Sequence, residues 1–346
     1  MIQESQLRAG ATALIRVCLD VRPEEAVLVL TDELTTPLAR YIHDAAAAAA
    51  RCTTVVLPSL NEDYARSFAA LASAVELHRP QVVIFAAKDD RDLLAWDDRY
   101  WALLTRVNAR SAQMPALDAN SLGLGMSMDY REVGRFTERI TAAVTGATTI
   151  SVANALGTDI EFRCDPERPW TPFTGLYPRA GDGGRLPQGE TFCSPIDARG
   201  VIAASVIGYP FNAATGLLSD PAIFEIEDAR LQSVSHADQE LQRQLREWFA
   251  RDAEAGRIGE FALGTNPWCT ELTGNLLFDE NVPGCHIALG HPFGDYTGAD
   301  WSSGVHVDLV VKRPNILIDG RAILLDGEYH DLAPSDTPQT QTERSR

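Results

Sequence analysis

Over the first 147 positions, apolar residues gather into short, near-continuous runs separated by longer stretches of mixed character. The runs are Ala26–Leu30 (AVLVL), Thr53–Leu57 (TTVVL) and Val82–Ala86 (VVIFA). A strand that is apolar at every position needs cover on both faces, as in a parallel sheet flanked by helices. The intervening stretches carry helical patterns. One opens at Thr36-Pro37 and passes through the alanine block 45–50. A second opens at Asn61, with Glu62 and Asp63 in the first turn, where the helix dipole favours negative charge. Two more are predicted, about Asp92 to Gln113 and Met128 to Gly146. Strand–helix alternation at this spacing predicts a parallel α/β domain over residues 1–147.

From residue 148 the pattern changes to short strands and turns rich in glycine and proline. Strands are predicted at Thr149–Ala153, Asp159–Cys164, Gly200–Gly208, His306–Val311, Asn315–Ile318 and Ala322–Leu325. One long helical pattern, about Ser235 to Ala255, interrupts them, with Ser235 as its expected cap and Asp238 at the capping-box position. The expectation for residues 148–332 is therefore a β-rich α+β domain. The polar stretch 333–346 (PSDTPQTQTERSR preceded by Ala333) has too few apolar residues to pack and is expected to be a disordered tail.

Composition narrows the partners more than the fold. A net charge of −18 disfavours nucleic acid and anionic membrane surfaces, both of which repel an acidic protein. No apolar run reaches the roughly 18 residues needed to span a bilayer, and the N-terminus lacks the pattern of a secretory signal. The six cysteines, at 18, 52, 164, 193, 269 and 285, show no CxxC spacing, which points to reduced thiols in a cytoplasm. A nucleotide-binding turn is not evident either. Thr31-Asp32-Glu33-Leu34 follows the first strand where GxGxxG would stand, and Gly123-Leu124-Gly125 has no strand before it.

Candidate chemistry lies in the second half. In Val305–Val311 (VHVDLVV), strand alternation puts His306 and Asp308 on one face and Val305, Val307, Leu309 and Val311 on the other. An imidazole beside a carboxylate over an apolar face makes a sound pair of metal ligands, or, more plainly, a hydrogen-bonded pair at a sheet edge. Three further segments place acids or histidine beside glycine and proline. RLPQGETFCSP carries Glu190, IGEFALGTNP carries Glu260, and GNLLFDENVPGCHIALG carries Asp279, Glu280 and His286. Each is read as a ligand-bearing loop. His43, His78, His236 and His330 are expected in surface or capping roles.

The succession of these segments, ending in an SxxHxD pattern (Ser303, His306, Asp308), resembles the thermophilic-type metallo-aminopeptidases over residues 185–311. By matching position, the resemblance implies Glu190, Glu260, His286, His306 and Asp308 as metal ligands. It also implies a dinuclear centre in the C-terminal domain and a homodimer. Three carboxylates and two imidazoles suit divalent Zn, Co or Mn, one or two per chain. A metal-activated water would then attack the amide of a small peptide or amide-containing metabolite, with a carboxylate bridging the two ions; Glu260 and Glu280 are the catalytic candidates, Glu280 as general base or as a partner orienting His286. The chain departs from the family at Phe293, where the family has a tyrosine ligand; His291 and Tyr296 are the nearby candidates to replace it. A related branch, the 2,5-dihydroxypyridine ring-opening dioxygenases, holds one Fe(II) with two histidines and an aspartate. His306 and Asp308 fit both. That branch has a histidine where this chain has Glu260, so Glu260 with His286 favours the hydrolase.

Overall fold

The computed structural model describes residues 2–330, so the expected tail at 333–346 lies outside the described residues. In the first half the elements are α1 (Glu4–Ala13), β1 (Ala26–Thr31), α2 (Thr36–Ala47), β2 (Arg51–Val56), α3 (Tyr64–His78), β3 (Val82–Phe85), α4 (Asp98–Val107), β4 (Arg110–Gln113) and α5 (Tyr130–Val144). The second half supplies β5 (Thr149–Ala153), β6 (Asp159–Arg163), β7 (Thr171–Phe173), β8 (Gly183–Arg185), β9 (Glu190–Cys193) and β10 (Asp197–Ile207). It continues with α6 (Asn212–Thr215), β11 (Leu217–Glu227), β12 (Arg230–Ser235), α7 (Gln239–Phe249), β13 (Ile258–Gly264) and α8 (Leu276–Asp279). Then follow β14 (Gly284–Gly290), α9 (Gly294–Thr297), β15 (His306–Val311), β16 (Asn315–Ile318), β17 (Arg321–Leu325) and β18 (Glu328–Tyr329).

The apolar runs of the first half form a parallel sheet in the order β2-β1-β3-β4-β8. Alternate residues of its strands enter two separate cores. Val27, Val29, Val82 and Ile84 pack with α1 and α2. Leu28, Leu30, Val83 and Phe85 pack with α3 and α4 on the other face. Covering both faces is what the uninterrupted runs require.

Helix α1 has no counterpart in the sequence reading, and α3 opens at Tyr64 with Asp63 as its cap, later than the expected start at Asn61. Two further features of this half differ more. The helix expected over 92–113 is shorter: Asp97 caps α4, and Asn108 ends it in the left-handed conformation. Residues 110–113 (RSAQ) then form a buried strand. Its polar residues conceal it, because Arg110 is satisfied internally by Glu25 at 2.7 Å and by the Leu19 and Asp20 carbonyls. The second difference is β8, which comes from the far side of residue 148 yet pairs in parallel with β4.

The second sheet is antiparallel and has thirteen strands among the described residues. Its path runs β18-β17-β16-β5-β6-β10-β15-β14-β13-β9-β7, with β11 and β12 continuing from β10. The helix expected from Ser235 begins later: Ser235 closes β12, and the Asp238 carboxylate caps α7 by accepting from the Glu240 and Leu241 amides. Helix α5 joins the two cores. Its first turns bury Tyr130 and Val133 in the first-half core, and its later turns bury Phe136, Ile140 and Val144 against the second sheet. No helix among the described residues is long and apolar enough to cross a membrane.

Candidate metal centre

The site is built by the pleat of four neighbouring strands. Ile258, Phe261 and Leu263 of β13, Cys285, Ile287 and Leu289 of β14, and Val307, Leu309 and Val311 of β15 all enter the second-half core. By alternation Glu260, His286, Ala288, His306 and Asp308 occupy the opposite face, and a register shift between Ile258 and Glu260 lets Ile258 turn to the core instead. Register aligns them: Ala288 pairs with both Glu260 and Asp308, so a methyl group stands between two carboxylates. His286 lies two residues along β14, opposite Val310 and Ala262. Glu190 opens β9 opposite Gly264. The segments read from sequence as loops at Glu190, Glu260 and His286 are therefore strands. Gly189 sets the entry to β9: its φ is +147°, and a Cβ there would meet Val133 at 2.9 Å and Asn266 at 3.0 Å.

All five expected ligands converge. His286 Nε2 lies 3.4 Å from Glu190, 3.6 Å from Glu260 and 3.9 Å from Asp308. His306 Nε2 lies 3.8 Å from the other Glu260 oxygen and 3.1 Å from Asp308. Glu260 thus stands between both imidazoles, one oxygen towards each. Ligand atoms of Glu190, Glu260 and His286 lie within 4.8 Å of one another, close enough to share one ion.

The supporting contacts fix how these groups can behave. His306 Nδ1 lies 2.9 Å from the His291 carbonyl oxygen. A carbonyl only accepts, so Nδ1 carries a proton and Nε2 is the nitrogen that faces the carboxylates, where without a metal it donates to Asp308 at 3.1 Å. Gln188 Nε2 donates to Glu190 at 2.9 Å, holding that carboxylate in place. His286 Nδ1 is buried with no hydrogen-bond partner among the described residues.

The electrostatics call for a cation. Burial disfavours charge on both imidazoles, yet the surrounding carboxylates raise His286 to about 10 and His306 to about 9. Burial pushes Glu190 up to about 7, against the pull of His286 and reinforced by Glu260 and Asp308. Asp308 overcomes its own burial and falls well below the usual carboxylate range, chiefly through His306 and then His286. Protons gathered at imidazole nitrogens that point at carboxylates mark the place a divalent ion would take. The donor set fits such an ion.

Glu280 is buried beside this cluster, and burial drives its pKa well above the ordinary value, with Arg185 opposing. Arg185 Nη1 lies 4.0 Å from it, and the same guanidinium pairs with Asp92 of the first half. Asp279 plays a different part. Its carboxylate accepts from Thr273 N and Oγ1 and from Gly274 N at 2.7–2.9 Å, tying the loop that leads into α8. The five candidate ligands, Glu280 and Arg185 line one cavity of about 280 Å³ between the two halves.

Phe293 sits against His306, with ring centroids 4.7 Å apart. Of its two candidate replacements, Tyr296 lines the cavity and His291 does not. His291 instead supports His306 through its carbonyl and accepts from the Phe293 amide on its own Nδ1. Gly123 and Gly125 serve packing: added Cβ atoms would strike Ile2 at 2.4 Å and Pro187 at 2.8 Å. Arg185, Gln188, Ala288 and Trp96 were not singled out by sequence. Arg185 precedes the Pro/Gly turn before Glu190 and Gln188 lies within it, which is the clearest available signal.

The sequence model of the thermophilic metalloprotease (M29) family matches residues 127–329, more than half of the chain. This protein belongs to that family of metal-dependent peptidases. Among solved structures, AmpT from Thermus thermophilus aligns with a TM-score of 0.69 at 16% identity, covering 94% of this chain and 99% of that one. The 2,5-dihydroxypyridine dioxygenase from Pseudomonas putida KT2440 aligns with a TM-score of 0.68, also at 16% identity, covering 96% and 99%. At that identity the two share the fold with this chain. No curated protein sequence matches it.

Proposed function

We propose that this protein is an aminopeptidase-type hydrolase that cleaves an amide or N-terminal peptide bond of a small substrate. The observation that carries the reading is Glu260 between His286 and His306, with Glu190 and Asp308 completing a set of three carboxylates and two imidazoles. Two imidazoles with a single carboxylate would instead suit a mononuclear iron site. These five residues would hold one or two Zn, Co or Mn ions, with Glu260 placed to serve two. Bound divalent metal supplies an acidified water and draws electron density from the scissile carbonyl.

The chain's own groups do the rest. Glu280, whose ionised form is favoured by the Arg185 guanidinium at 4.0 Å, takes the proton from the attacking water and returns it to the leaving amine. Arg185 holds Glu280 towards the cavity from a strand of the first-half sheet. His291 fixes the His306 tautomer so that Nε2 faces the site. A homodimer in the cytoplasm completes the proposal, and sedimentation of the purified chain should give twice the chain mass.

Protein purified without chelator should contain one to two divalent ions per chain and hydrolyse aminoacyl-p-nitroanilides when loaded with Co, Zn or Mn. Chelation should lower Tm, because an ion at 100 times its Kd stabilises the folded state by about 2.7 kcal/mol. Absence of metal after reconstitution would remove the centre altogether. Turnover of a hydroxylated pyridine dependent on Fe(II) and O2, with the anilides inert, would replace hydrolysis by the dioxygenase reading.

A further inference from the structure

Trp96 comes from the first half, and its ring contacts among the described residues are all with the second. Its ring lies 5.6 Å from Phe293 at 16°, 5.2 Å from His291 and 5.9 Å from His306. It lines the cavity that holds the candidate ligands, and it remains 45% exposed. A large apolar side chain left open at the mouth of such a cavity is a ligand-contacting surface in waiting.

The segment that presents Trp96 is firmly held. Asp89 accepts from the Leu94 amide at 2.8 Å, and its own amide donates to the Pro115 carbonyl at 2.9 Å. The Asp92 carboxylate pairs with Arg185. Trp101 Nε1 donates to the carbonyl of Ala95, the residue before Trp96, at 2.8 Å. The indole is therefore displayed by a fixed platform and needs little ordering when a substrate arrives.

The cavity has two chemically distinct sides. Carboxylates and imidazoles make one; Trp96, Phe293, Phe173 and Tyr296 contribute the other, with Phe173 and Tyr296 edge-on at 5.3 Å. An acidic side chain on the substrate would meet Glu190, Glu260, Glu280 and Asp308, and Arg185 in the same lining is already paired with Asp92. A polar one would lose water against aromatic faces that offer few polar groups, the Tyr296 hydroxyl among them. An apolar side chain gains burial on the same faces.

We propose that Trp96 is a specificity-determining residue that receives the side chain of the residue whose amide bond is cut, favouring aromatic and large aliphatic residues. This rests on the hydrolase reading above for the identity of the bond, though not for the apolar recognition itself.

The test compares Phe-, Leu- and Ala-p-nitroanilide hydrolysis by the metal-loaded full chain, wild type and Trp96→Ala and Trp96→Phe. It also measures binding of free L-phenylalanine, L-leucine and L-alanine by calorimetry. Wild type should favour Phe and Leu over Ala by about ten-fold or more in kcat/KM. Trp96→Ala should bring that ratio towards one, mainly through KM, at unchanged metal content; Trp96→Phe should restore part of it. The amino acids should show the same order in binding, again dependent on Trp96. An unchanged ratio in Trp96→Ala with full metal content overturns the assignment. Should the wild type hydrolyse none of the anilides, Trp96-dependent preference in calorimetry still supports apolar recognition while the hydrolase reading falls. Equal binding of all three amino acids then overturns the proposal too.

Discussion

Replacing Glu260 with glutamine should reduce amide hydrolysis by well over the roughly 100-fold typical of losing a residue that only orients a metal ligand. The substitution keeps size and hydrogen-bonding capacity but removes the charge that His286 and His306 share, at 3.6 and 3.8 Å. The loss should fall on kcat and on metal content together, read by elemental analysis of the same preparation. If Glu260→Gln keeps its metal and its rate, the carboxylate between the imidazoles is structural, and the strongest argument for hydrolysis over iron chemistry is gone.

The second large effect concerns a residue with no chemistry of its own. Ala288 is fully buried and pairs across the sheet with Glu260 on one side and Asp308 on the other. Leucine at 288 would place a branched side chain between the two carboxylates. Overpacking of this kind costs about 1–3 kcal/mol, so the chain should fold, with unchanged far-UV circular dichroism. Its metal content and activity should nonetheless fall to background. The adjacent Ile287 is equally buried but faces the second-half core. Ile287→Ala should therefore do the reverse, destabilising by about 2–5 kcal/mol while the folded fraction still binds metal. Full metal binding by Ala288→Leu would mean that the ions sit elsewhere.

These contrasts also explain what the sequence could and could not disclose. His306 and Asp308 were legible because VHVDLVV alternates cleanly between a valine- and leucine-rich face and a polar one. Glu260 and His286 were identified by residue type but placed in loops, because their strands carry Gly259, Ala262, Gly264, Gly284, Ala288 and Gly290. Small residues usually signal turns. Here Ala262 and Ala288 share the face of Glu260 and His286, and their small side chains leave room for the charged groups between them.

Elsewhere the signal was absent for other reasons. Strand β4 escaped notice since the burial of Arg110 depends on a glutamate 85 positions away. Strand β8 is three residues long and begins with two glycines, each pressed against a neighbour: added Cβ atoms would lie 2.5 Å from the Ser111 hydroxyl and 2.4 Å from the Tyr177 hydroxyl. Trp96 has no local pattern that marks it. Its meaning comes from His291, Phe293 and His306, far along the chain, and sequence periodicity carries nothing about such distances.

Strand β8 bears on how this protein could be taken apart or recombined. A cut at the junction of 147 and 148, which the change of texture invites, would strip the first sheet of its fifth strand. Strand β4 would then become an unprotected edge, open to pairing with any exposed chain. Asp92 would be left buried without Arg185, its counter-charge. Swapping the first half for that of a relative would meet the same difficulty unless residues 183–185 travelled with it. The two halves are therefore interlocked modules, and any exchange of substrate preference between family members by domain grafting has to respect a seam that lies inside the second half.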